Sequence, residues 1–162
     1  MFRHFPALCL LAAIVLAGCS RPETPRPEYR RLTRAICLDG VRQVRALPRP
    51  RSDAELITVL RRLQAINRRM TERIALLDAP EGQRPELRQD AAVDIGIRTN
   101  ATLRELIESL RASRQPRLEL ERRAAALRRA AVTDAHAWAK ARMHACADGP
   151  SRALADLAAP TK

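Results

Sequence analysis

The stretch Ser52-Asp53-Ala54-Glu55-Leu56-Ile57-Thr58-Val59-Leu60-Arg61-Arg62-Leu63 decides the fold class. It opens on a capping box: a serine oxygen placed to accept the N3 amide, followed by a glutamate that reaches back to the start of the helix. From there Leu56, Leu60, Leu63, Met70, Ile74 and Leu77 recur at helical spacing until Asp78-Ala79-Pro80, which marks one long amphipathic helix. Asn67 falls on the same stripe, either as a tolerated edge residue or as a buried polar contact that sets register.

Working outward, the same period appears on both sides. A first helix over about 28–47 carries Leu32, Ile36, Cys37, Val41, Val44 and Leu47 on one face, is weakened by Gly40, and stops at Pro48-Arg49-Pro50. After a turn at Pro80-Glu81-Gly82-Gln83-Arg84, Pro85 suits the first position of a third helix running to about Ser113. Its stripe is small at Ala92, Gly96 and Thr99, then bulky at Leu103, Leu106, Ile107 and Leu110. Pro116 opens a fourth helix whose seam, Leu120, Ala124, Leu127, Ala131, Trp138 and Ala145, leads to Cys146 and ends at Asp148-Gly149-Pro150. A short tail helix over about 151–158 follows Ser151, with Pro160 as its stop. Amphipathic helices joined by short loops pack as antiparallel neighbours, so the expected fold is all-α: an up-down-up-down four-helix bundle with a short C-terminal tail helix.

The chain has 162 residues and a formal net charge of +12, and its basic residues are arginine except Lys140 and Lys162. A GC-rich coding sequence favours arginine and alanine, which explains much of that bias without selection for phosphate recognition. The remaining field still attracts anionic surfaces such as lipid head groups or acidic wall polymers, in a manner that salt screens. The pairs Arg30-Arg31, Arg61-Arg62, Arg68-Arg69, Arg122-Arg123 and Arg128-Arg129 could form a basic stripe. Nucleic acid is not an expected partner, because Phe2, Phe5, Tyr29 and Trp138 are the only aromatics and no stacking platform exists.

At the N-terminus, Arg3 precedes an apolar run from Phe5 to Leu16, no acid occurs before Glu23, and Leu16-Ala17-Gly18-Cys19 closes the run. The run is too short to be read as a membrane-spanning helix. Leu16-Ala17-Gly18-Cys19 resembles the lipobox of bacterial lipoproteins. That resemblance implies transfer of a diacylglyceryl group, carrying fatty acids such as palmitate, to the Cys19 thiol, cleavage before Cys19, and anchorage to the outer face of the cytoplasmic membrane, or to the outer membrane in a diderm cell. The expected organisation is a lipoprotein signal peptide at 1–18, a lipidated cysteine and Pro-rich tether at 19–28, a helical bundle domain at 29–148 and a tail at 149–162. The tether, extended and partly polyproline-II over residues 20–28, spans on the order of 28 Å and is expected to hold the domain slightly off the membrane.

Cys9 leaves with the signal and Cys19 is taken by lipid, so the exported fold keeps Cys37 and Cys146. Two thiols outside the cytoplasm suggest a disulfide; two separately buried thiols are the alternative. In an up-down-up-down bundle the start of the first helix and the end of the fourth share one end, which favours the bridge. From Tyr29 to Cys146 the chain also resembles small exported helical lipoproteins of actinobacteria. The likeness lies in Ala35-Ile36-Cys37, Pro48 and Pro50, Leu77-Asp78-Ala79-Pro80, and the closing Ala141-Arg142-Met143-His144-Ala145-Cys146. The glycine expected shortly before the last cysteine of that group is missing. The group has no established activity, so the resemblance implies fold and location alone.

No motif names a reaction. His4 leaves with the signal, while His136 and His144, eight positions apart on one helix, stand about 11–12 Å apart, too far to share an ion. There is no Gly-x-Ser-x-Gly elbow and no Gly-rich phosphate loop, and the acids Asp90 and Asp94 suit a solvated helix N-terminus. The sequence therefore predicts no catalytic, metal or cofactor residues. It predicts a lipid-anchored binding or scaffolding module at the cell envelope whose contacts are the membrane and anionic lipids or wall polymers; no protein partner is indicated. The alternative is a small-ligand receptor with a pocket between helices near Gly40, Gly96, Thr99 and Trp138.

Overall fold

A computed structural model describes residues 26–80 and 83–159. Cys19, the expected signal peptide, the first part of the tether and Pro160 lie outside the described residues. Four long helices, α1 (Arg26–Arg45), α2 (Asp53–Ala75), α3 (Gln83–Ala112) and α4 (Pro116–Lys140), are followed by a 3-10 turn (His144–Cys146) and a short helix α5 (Pro150–Leu157). No strand occurs among the described residues.

The helix ends follow local chemistry. Ser52 caps α2, its hydroxyl accepting from the Glu55 amide at 3.2 Å. The Glu55 carboxylate reaches back one residue further than in the usual capping box, accepting from the Arg51 amide at 2.6 Å. Pro116 occupies the first position of α4, where a missing N–H costs nothing. α3 begins at Gln83, two positions before Pro85, so the proline sits in the first turn rather than at its first residue.

Core membership gives the direction of each helix. One cluster is leucine-rich and includes Leu56, Leu60, Leu63, Leu103, Leu106, Leu110, Leu120 and Leu127. The other gathers Ile36, Cys37, Met70, Ile74, Ala92, Ile95, Trp138 and Cys146. α1 runs from the second cluster to Val44 in the first, α2 from the first to the second, α3 back again, and α4 from the first to Trp138 in the second. This alternation is the up-down-up-down arrangement that the sequence predicts.

Between the clusters lies a polar waist. The Asn67 amide, 2% exposed, donates to the Gly96 carbonyl at 2.8 Å, so the register-setting reading of that residue holds. Thr71 bonds back to the Asn67 carbonyl at 2.9 Å and packs directly on Gly96. The small stripe of α3 thus marks a close approach of α2 and α3, not a weak segment. On the far side of the waist, Asp134 is 8% exposed and accepts from Ser151 at 2.6 Å, with the Thr99 hydroxyl 3.2 Å away.

Two expectations need correction. The fourth helix does not continue to Cys146 but ends at Lys140. Its end is a Schellman turn: the Met143 amide bonds to the Trp138 carbonyl at 2.9 Å and the Arg142 amide to the Ala139 carbonyl at 3.0 Å. That geometry puts Arg142 at φ 59°, a left-handed conformation that glycine usually supplies. Trp138 and Met143 share a core cluster, which provides the apolar contact such turns favour. The chain after Arg142 is therefore free to cross toward α1. The second concerns the first helix, which starts at Arg26 rather than about residue 28. The expected tail helix is present as α5 and is part of the core. Leu154 and Ala158 belong to the leucine-rich core, and α5 packs against α4, α2 and α1 while α1 and α4 scarcely touch.

The waist predicts the effect of one methyl group. A Cβ at Gly96 overlaps the Thr71 side chain, so Gly96→Ala should destabilise the fold by about 2–3 kcal/mol, as overpacking of a close helix contact does. Thr71→Ala in the same chain should recover part of that loss. Urea unfolding followed by Trp138 fluorescence measures both.

Candidate functional site

The end of the bundle where α1 begins also holds the end of α2, the start of α3 and the end of α4. Three of these elements are fastened there by one side chain. Gln89 of α3 donates from Nε2 to the Ile74 carbonyl at 2.9 Å and the Leu77 carbonyl at 2.8 Å, satisfying groups that the end of α2 leaves open. Its Oε1 accepts from the Tyr29 hydroxyl of α1 at 3.3 Å. Burial first, and the charge of Asp90 second, hold the Tyr29 phenol above its ordinary value of 10.0.

Beside this clasp opens a cavity of about 350 Å³. Arg26 and Arg30 line it from α1, Arg88 from α3 and Arg142 from the turn after α4. Its floor is apolar, with Tyr29, Met143 and Pro80 buried. Among the described residues no acid lines it, and none of these four arginines has a carboxylate partner.

Acids elsewhere are committed. Asp39 is raised by its burial, but hydrogen bonds from Arg73, Arg42 and Gln43 outweigh this and hold its carboxyl below the usual range. Hydrogen bonding from Arg123, at 2.8 Å, does the same for Glu119. Arg122 also lies 3.9 Å from Glu119, and Arg128 donates to the Ala124 carbonyl, so the arginine pairs of α4 are partly spent. The pairs at 61–62 and 68–69 belong to a different helix, α2. The sequence pairs do not make one stripe, whereas Arg26, Arg30, Arg88 and Arg142 do meet at one cavity.

Cys37 and Cys146 are joined, with sulfurs 1.96 Å and Cα atoms 4.6 Å apart. Cys146 reaches α1 from the 3-10 turn and not from a helix face. Met70 packs its thioether 4.0 Å from the Cys146 sulfur. His136 and His144 are both exposed, on α4 and on the 3-10 turn respectively, and so do not share a helix. No group of three or more His, Cys, Asp or Glu side chains placed to hold a metal occurs among the described residues.

The inter-helix pocket expected near Gly40, Gly96, Thr99 and Trp138 is largely filled. Met70 covers Gly40, Thr71 covers Gly96, and Trp138 is 4% exposed within the core. Thr99 alone lines a cavity, one of about 210 Å³ shared with Asp134 and Ser151. There Asp134 is used as an acceptor for Ser151 and Thr99, with Arg98 at 3.7 Å, and the cluster pins α5 to α3 and α4. Sequence reading passed over Asp134, although it completes the spacing Leu120, Ala124, Leu127, Ala131, Asp134, Trp138; an acid on an apolar seam was the available signal.

Comparison with known protein families, with characterised proteins and with solved structures gives no match.

Two measurements probe this end of the molecule. Reduction, or Cys37→Ser with Cys146→Ser, should lower stability by about 2–5 kcal/mol, because the bond closes a loop with a sequence separation of 109. Calorimetry with and without reductant reads the change. Tyr29 is the only tyrosine, so phenolate absorbance reports it alone. The folded protein should ionise above pH 10.0, and the guanidinium-unfolded chain near it. Since the folded pKa is the higher, the stability this group contributes is complete below pH 10.0 and is lost as pH rises through the folded value.

Proposed function

We propose that the protein is a lipid-anchored, non-enzymatic binding or scaffolding module of the cell envelope, exported and held to the membrane through an acylated Cys19. The supporting observation is the make-up of the α1 end. Leu76 and Leu87 are 82% and 65% exposed there, on the end of α2 and the start of α3. Arg26, Arg30, Arg88 and Arg142 line a cavity at the same end of the bundle. Apolar side chains among arginines suit a surface that rests on anionic head groups, the leucines entering the boundary region while the guanidinium groups stay with phosphates.

The tether agrees with this orientation. α1 begins at Arg26, so from Cys19 the chain spans at most about 25 Å to the first helical residue, and the end nearest the anchor is the one that holds Arg26, Arg30, Arg88 and Arg142. No helix among the described residues is long and apolar enough to cross a membrane, so attachment depends on lipid and on this end of the bundle. One acyl chain would give marginal binding, but the two or three chains of a lipidated Cys19 anchor stably. The arginines at this end add an electrostatic contact with anionic head groups.

In metabolic labelling with a fatty-acid analogue, the wild type should take up label, and Cys19→Ser should lose it and accumulate as uncleaved precursor. Normal processing of Cys19→Ser into a soluble product would overturn the anchor. The unlabelled protein should also float with vesicles containing phosphatidylglycerol, and less so as salt rises, since exposed charges are screened over about 8 Å at physiological ionic strength.

A further inference from the structure

We infer that the cavity between the start of α1, the start of α3 and the turn after α4 is a discrete binding site for a phosphate ester with a small organic body. The recognising groups are Arg26, Arg30, Arg88 and Arg142, which come from three separate parts of the chain and line one space of about 350 Å³. Guanidinium groups repel one another across a shared space, and a set without a carboxylate among the described residues is relieved by a bound anion. Arginine presents a planar fork of donors that matches phosphate oxygens two at a time, so this donor type favours a tetrahedral oxyanion over a simple halide.

The walls limit the rest of the ligand. The Tyr29 hydroxyl is engaged by Gln89, and the Thr33 hydroxyl donates back to the carbonyls of Tyr29 and Arg30, both at 3.0 Å. The guanidinium groups are therefore the principal free donors. The buried Met143, Ala141 and Pro80 present apolar surface below them. The volume exceeds what a bare phosphate fills and accommodates a glycerol-sized group against that floor.

Arg142 is held for this position at a conformational cost. It takes the left-handed φ of 59° where glycine is the usual residue, and its side chain lines the cavity. A glycine there would serve the turn at least as well and would leave the cavity without one of its charges.

The same chemistry occurs in a free glycerol phosphate, in a polyol-phosphate polymer and in the head group of phosphatidylglycerol. Only the last source rests on the membrane placement proposed above. The full chain, purified in a neutral detergent, is titrated with glycerol 1-phosphate, with glycerol as control, in a calorimeter; separately it is floated with phosphatidylcholine vesicles with and without phosphatidylglycerol. Saturable one-site binding of glycerol 1-phosphate is expected, weakened about tenfold or more by Arg142→Gly and by Arg88→Gln, as loss of a charge-assisted hydrogen bond does. Arg129→Gln, remote on α4, should change it by less than about twofold. Arg142→Gly relaxes the backbone, so its melting temperature should match or exceed that of the wild type, and lost binding cannot then be assigned to unfolding. Binding confined to phosphatidylglycerol vesicles, with the same dependence on Arg142 and Arg88, identifies the head group as the source and also supports the site. Saturable binding in neither arm, or equal losses with Arg129→Gln, overturns it. A chain that binds glycerol 1-phosphate but takes up no label at Cys19 keeps the site and refutes the anchor.

Discussion

The covalent bond between Cys37 and Cys146 is the constraint on which the rest of the architecture turns. A four-helix bundle normally closes by packing its first helix on its last, yet here α1 and α4 scarcely meet. The gap is closed by the segment after α4: the 3-10 turn carries Cys146 to α1, and α5 then folds back between the helices so that Leu154 and Ala158 complete the leucine-rich core. The Schellman turn at Arg142 makes this possible by stopping α4 short. The disulfide, the left-handed arginine and the buried tail are consequences of one topological need.

The two halves of the core are built differently. Leucines on α2, α3 and α4 fill one half, where area removed from water supplies most of the stability. The other half uses alanine, glycine, methionine, one tryptophan and the sulfur bridge, and so relies on close approach and crosslinking. The waist between them carries satisfied polar contacts, Asn67 to Gly96 and Ser151 to Asp134. Such contacts add little net energy but are costly to leave unmade, so they fix how far each helix slides along its neighbour.

Local signals were legible from the sequence, and relations across space were less so. The Ser52 cap, the proline at the head of α4 and the leucine period gave the helices and their alternation, because each depends on neighbours within a turn or two. The pairing of the cysteines followed from topology. The end of α4 was misjudged because Arg142 stands where a glycine would have announced the turn. A receptor pocket was expected at Gly40 and Gly96 because small residues were read as space, whereas the side chains of Met70 and Thr71 occupy it. The arginine-lined cavity was hidden for a related reason: Arg26, Arg30, Arg88 and Arg142 are unremarkable singly in a chain with so many arginines. Only the folded arrangement separates those with acid partners from those without.

The position of the disulfide also governs how the molecule carries mechanical load. A pull between the two ends of the chain passes along the start of α1 to Cys37, crosses the sulfurs to Cys146, and continues into α5. Everything between those cysteines, including α2, α3 and α4, lies in a closed covalent loop outside that path. Tension applied to the N-terminal end of α1 can lengthen only the segments beyond the bridge, and the greater part of the bundle is bypassed as long as the sulfurs stay joined.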